Sequence, residues 1–162
     1  MRISILDQSP VLQDSSPADA ITATIELAVA AEQLGYNRFW LAEHHSMRGL
    51  ANPCPEILLS AIGHRTKKMR IGTGGILLPY YSPLKVAETF NMLEILFPKR
   101  IDLGIGRAPG GDRLTANALN SNAFNDANAF PNQVVETLQW LDGSLPKHHP
   151  YGGIKAMPTS AT

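Results

Sequence analysis

Three stretches of this chain put reactive or unusually bare groups where apolar runs end. Trp40-Leu41-Ala42-Glu43-His44-His45 leads an apolar segment into an acid and two imidazoles. Gly72-Thr73-Gly74-Gly75 follows a second apolar segment and offers backbone with almost no side chain on it. Gly104-Ile105-Gly106-Arg107-Ala108-Pro109-Gly110-Gly111 closes a third and carries one guanidinium.

Each stretch has a chemical reading and an ordinary one. An imidazole titrates near neutrality, so a histidine at a pocket can take and give protons. The ordinary reading is one structural and one solvated histidine. Neighbours on a strand point to opposite faces, so one of His44 and His45 is expected at a pocket. The other then faces a helical layer or a subunit contact. Adjacent ligands on one strand suit a metal poorly, and no third ligand follows at a useful spacing; no metal site is expected.

The glycine run lacks the Lys-Ser/Thr of a phosphate-binding P-loop. It serves either a bulge at a strand end or the flat face of a bound ligand. Gly104 to Gly110 does not fit the dinucleotide fingerprint. Arg107 suits a bidentate phosphate contact, or an ion pair with Asp102 or Asp112. Glu88, early in a helix, has Lys85 as a local partner. Cys54, between two prolines, reads as a small buried side chain.

These groups need a scaffold, and the hydrophobic pattern supplies one. Residues 3–6 read as a strand. Ser16 and Pro17 then open a helix with Ile21, Ile25, Ala28 and Val29 on one face, and Gly35 ends it. Residues 38–43 form the second strand. Pro55 starts a helix reaching Thr66, and residues 69–73 form the third strand. Pro83 starts a helix with Val86, Phe90, Leu93 and Phe97 on one face. Met92, Ile95 and Leu96 make a further apolar side, expected either at a subunit contact or buried on two sides within the domain. Residues 101–105 form the fourth strand.

The order is β-α-β-α-β-α-β. Right-handed crossovers make the sheet parallel, with its functional end at the strand C-termini. Beyond Arg107 come a short helix near 113–119 and another over 132–141. From about 142 to 162 the pattern predicts a loose tail on a single domain of 1–162.

The chain has 162 residues, 44% of them hydrophobic and 17% charged, which suits one soluble globular domain. Formal net charge is zero, which gives no electrostatic support for nucleic-acid or membrane partners. One cysteine permits no internal disulfide, consistent with a cytoplasmic setting. The apolar run after Met1 is too short for a signal peptide, and none is long enough to span a membrane.

Taken together, these residues resemble the bacterial luciferase-like flavin monooxygenase superfamily. The matching elements are Trp40 to His45, Asn52-Pro53, Gly72 to Pro79, Pro83 with Ala87-Glu88, and Arg100 to Gly110. The Gly-Arg-Ala-Pro-Gly form is nearest to the branch labelled luciferase-like monooxygenase. The resemblance implies a (β/α)8 TIM barrel that binds FMN and uses its reduced form with O2 to oxygenate a small organic substrate. By position, His44 matches the catalytic imidazole. Gly74-Gly75 matches a non-prolyl cis peptide beneath the flavin ring. Glu88 and Arg107 match cofactor-side positions, with Arg107 at the phosphate. A separate flavin reductase would supply the reduced cofactor. The alternatives are a flavin-binding protein without turnover and an oxidoreductase of the same fold using the deazaflavin F420.

Length is the departure from the family. Such a barrel takes about 250 residues, and this chain supplies about the first four βα units. A truncated or nicked product is the favoured expectation. Completion by a second copy or a separate chain, as a homodimer or other oligomer, and a degenerate half-barrel are the others.

Overall fold

The computed structural model describes residues 1–126 and 128–159. Strands β1 (Ser4–Asp7), β2 (Arg38–Leu41), β3 (Arg70–Leu77) and β4 (Ile101–Gly106) form one sheet in that order. All three pairings are parallel. Helices α1 (Pro17–Gln33), α2 (Pro55–Arg65) and α3 (Pro83–Leu96) connect them. Helices α4 (Arg113–Asn120) and α5 (Ala129–Asp142) follow β4. Among the described residues, β1 and β4 are open edges. No helix of the described residues is long and apolar enough to cross a membrane.

Local chemistry sets the helix ends. Ser16 Oγ accepts from Asp19 N, and Asp19 Oδ2 accepts from Ser16 N at 2.8 Å, a complete capping box. Gly35, at φ +79°, takes the left-handed conformation that ends α1. Pro55 and Pro83 occupy first turns of α2 and α3, where a missing N–H costs nothing.

One face of the sheet makes the core. Phe39, Leu41 and Ile71 are fully buried against Ala28, Leu59, Ile62, Val86 and Phe90. The alternate residues turn to the other face. There the Trp40 ring lies over the Cα positions of Gly72 and Gly104, while Leu6 stays 54% exposed.

The strand bounds differ from the sequence reading in two informative places. β2 stops at Leu41, so Glu43, His44 and His45 lie beyond regular pairing. β3 continues through its glycines to Leu77, and its register against β4 shifts between Thr73 and Ile76. The glycine run is therefore a bulge, one of the two readings its sequence offered, and it lies within the strand rather than at its end. Helix α5 begins at Ala129, three residues ahead of the expected 132. Residues 143–159 form turns without helix or strand, and Ala156 is buried with Ala87 and Trp140.

The N-terminal ends of the strands are closed by polar groups that satisfy one another. Glu32 accepts from the backbone N–H groups of Lys67, Lys68 and Met69 at 2.7–2.9 Å. Arg100 donates to Met69 O (3.0 Å), Gly63 O (3.2 Å) and Thr66 O (2.9 Å). Asp102 accepts from both Arg38 and Arg70.

The second apolar side of α3 is open. Met92, Ile95 and Leu96 are about half exposed, and a groove of about 940 Å³ runs between α2 and α3, bounded by Ile57, His64, Lys85 and Glu88.

Candidate active site at the strand ends

The end of β2 is held by Asn52. Its Nδ2 donates to Ala42 O at 3.1 Å, and its carbonyl accepts from His44 N at 3.3 Å. This turn brings the three polar side chains off the strand in different directions. His44 Nδ1 is buried and has no hydrogen-bond partner. A buried polar atom without a partner costs free energy unless something binds it; among the described residues Glu56 Oε2, on α2, is the other side-chain atom in this state.

Glu43 and His45 do the opposite. The Glu43 side chain is 0% exposed. Its Oε2 accepts from Leu77 N at 2.8 Å, and its Oε1 accepts from Tyr81 OH at 2.7 Å. His45 Nε2 lies 2.7 Å from the same Oε1. Burial, then the hydrogen bond and charge of Glu43, push the Tyr81 phenol far above its ordinary value, so it stays a donor. His45 N donates to Gly110 O at 2.8 Å, and the His45 ring meets Tyr80 edge-on at 5.9 Å. Tyr80 OH in turn donates to Pro109 O at 2.7 Å. The ends of β2 and β3 and the loop after β4 are thus tied together.

The Gly74–Gly75 peptide bond is cis. A Cβ at Gly75 would lie 2.8 Å from Gly104 O, so close approach of the β4 backbone requires glycine there. A Cβ at Gly74 would meet Leu6 Cδ1 at 3.1 Å and Trp40 Cβ at 3.2 Å.

Arg107 is exposed in the loop between β4 and α4. Neither acid offered to it by the sequence is paired with it. Asp102 binds Arg38 and Arg70, and Asp112 caps α4 by accepting from Thr115 N at 2.7 Å. Glu88 lies elsewhere, on the wall of the α2–α3 groove, where its Oε1 accepts from Met157 N at 3.4 Å. Cys54 precedes α2; burial, with the charges of Glu56 and Glu43, pushes its thiol up and away from the reactive thiolate. Among the described residues no group of three His, Cys, Asp or Glu side chains is placed to hold a metal ion.

The structure therefore brings His44, His45 and the Arg107 loop to one rim and leaves Glu88 on an outer helix face. The sequence reading named Glu43 and Asn52 only as members of motifs, with no role for either, and did not reach Tyr81. A signal for Glu43 was present: an acid directly after a buried strand is rarely left without partners.

A parallel sheet with helical crossovers, a bulged glycine strand and polar groups at the strand C-termini defines a barrel-type α/β enzyme scaffold. The chain belongs to the luciferase-like monooxygenase family, whose model matches residues 1–153. The uncharacterized protein YceB of Bacillus subtilis is 49% identical over 162 residues, 100% of this chain and 49% of that protein. The N-acetyl-S-alkylcysteine monooxygenase of the same organism is 40% identical over 98% of this chain and 47% of its own length. The crystal structure of apo-MsnO8 superposes with a TM-score of 0.88 at 39% identity, over 99% of this chain and 46% of that one. The chain spans about half the length of these relatives. Its four-stranded parallel sheet has the TIM-barrel type of fold found in its structural neighbours, of whose chains it covers about half.

The rim holds one group that a ligand would complete. His44 offers a buried, unpartnered ring nitrogen, which is what a polar edge of a bound ring or substrate would satisfy. A flavin or deazaflavin bound there would supply the redox-active ring.

Proposed function

We propose that this chain forms part of an FMN-dependent monooxygenase that uses reduced flavin and O2 to oxygenate a small organic substrate. The observation that carries the reading is the buried, unpartnered Nδ1 of His44 at the C-terminal rim of the sheet. His44 takes or gives a proton at that nitrogen. The Gly74–Gly75 backbone lies along the flavin ring, and Arg107 binds the phosphate as a bidentate donor. The remaining strands of the barrel come from further chain or from a second polypeptide, and a separate reductase delivers reduced flavin.

The test is absorbance titration with FMN, and separately with F420, followed by oxygen uptake with reduced FMN. Wild type and His44→Ala are expected to bind FMN alike. Oxygen-dependent turnover should fall about 10²–10⁴-fold in His44→Ala, the usual worth of acid–base help. Turnover that survives removes His44 from its role. Arg107→Ala should weaken FMN binding; an unchanged dissociation constant removes the phosphate assignment. Binding of F420 in preference to FMN would replace oxygenation with hydride transfer.

A further inference from the structure

We propose that Glu43 is the positioning residue of this rim: its buried carboxylate holds His45 as the Nε2–H tautomer and thereby locks the end of β2, which carries His44, to the loop that carries Arg107. Three donors converge on this one carboxylate from three segments. Leu77 N comes from the end of β3, Tyr81 OH from just before α3, and His45 Nε2 from just past β2. Two of the three share Oε1, so that oxygen acts only as an acceptor.

A carboxylate placed in this way dictates which imidazole nitrogen carries hydrogen. This is the orienting task that the buried acid performs in acid–histidine pairs. The lock continues through the backbone. His45 N donates to Gly110 O at 2.8 Å, and a Cβ at Gly111 would lie 2.7 Å from His45 O, so the loop packs directly on the histidine. Gly110 also sits tight: with φ +61°, its missing Cβ faces Leu77 and Glu43 O. The ionisable groups around Glu43 are His45, Tyr80 and Tyr81, with Cys54 and Glu56 from the α2 side.

The tautomer assignment stands on hydrogen bonds alone. Its consequence for flavin binding rests on the function proposed above.

The test is nitrogen-15 NMR of the histidine rings in the 162-residue protein, recorded over a series of pH values and read where the His45 ring is neutral. Wild-type His45 is expected to show a pyrrole-type Nε2 and a pyridine-type Nδ1. In Glu43→Gln the amide oxygen can still accept from Leu77 N, while its NH₂ now faces His45 Nε2. The two His45 resonances should then exchange character. Tyr81→Phe removes a donor without touching the histidine and should leave the wild-type pattern. A wild-type Nδ1–H tautomer, or an unchanged pattern in Glu43→Gln, overturns the proposal.

If Glu43→Gln does not fold, the wild-type and Tyr81→Phe spectra still decide it. FMN titration of Glu43→Gln supplies the second arm, with a weaker dissociation constant expected through the displaced Arg107 loop. Absence of FMN binding in wild type with the expected tautomer would overturn flavin binding by this chain alone and leave the Glu43 assignment standing. An unaltered FMN affinity in a Glu43→Gln variant whose tautomer has switched would overturn the lock between histidine and loop.

Discussion

The two ends of the sheet handle polar groups in opposite ways. At the strand N-termini, Glu32, Arg100 and the Arg38–Asp102–Arg70 cluster pair with backbone or with each other. At the C-termini, Glu43 is saturated while its neighbour His44 keeps a buried nitrogen with no partner. A saturated polar network raises stability, whereas an unsatisfied group lowers it unless a ligand completes it. The base therefore reads as the stabilising end and the rim as the working end, the division expected of barrel scaffolds.

Substitution at the two ends should separate these roles. The largest stability effect belongs to Arg100→Ala, which strips donors from three carbonyls of the α2–β3 connection. A loss of about 2–4 kcal/mol is expected by urea denaturation, the range for breaking a buried polar network. A loss below 1 kcal/mol would mean that water replaces the guanidinium and that the base is not the stabilising end.

A smaller effect is expected at Asp102, and it is pH-dependent. Burial alone would raise its pKa, but hydrogen bonds from Arg70 and Arg38, with their charges, outweigh this and hold it below the ordinary 3.8. A carboxylate lowered in the folded state contributes its stability above the unfolded value and loses it as pH falls through the native one. The melting temperature should therefore drop below about pH 4, and Asp102→Asn should flatten that part of the curve while lowering the plateau above it. An identical acid limb in the variant would assign the acid sensitivity to other carboxylates.

The smallest effect is expected at the rim. His44→Ala removes a ring whose Nδ1 has no partner, so stability should change by less than about 1 kcal/mol, in contrast to the loss expected in turnover. A large loss of stability there would make His44 a structural residue and erase the distinction between the ends.

How far these features could be read in advance differs by residue. The capping Ser16, the helix-ending Gly35 and the helix-opening Pro55 and Pro83 act through local geometry, and the structure places each at the expected helix end. The parallel order followed from the alternation of strands and helices. The extent of β3 did not. Gly74 and Gly75 have poor strand propensity, and only pairing with β4 across a register shift keeps them in the sheet. His44 was legible as a polar residue at a strand end, but its unpartnered nitrogen was not. Glu43 was visible as a letter and invisible as a hub, because its three partners lie 2, 34 and 38 residues away. Glu88 matched by position along the chain and lies in the outer groove, since a helix face is set by rotation rather than by sequence distance.

What the amino-acid order determined by itself was everything settled within a turn or two of backbone: the helix starts and stops, the buried stripes, the alternation that forces co-directional strands, and the motif set that marks the family. What only the tertiary structure decided was which polar atoms end up satisfied. That outcome depends on donors and acceptors brought together from distant segments, and a difference of one residue in register would hand the Glu43 carboxylate different partners.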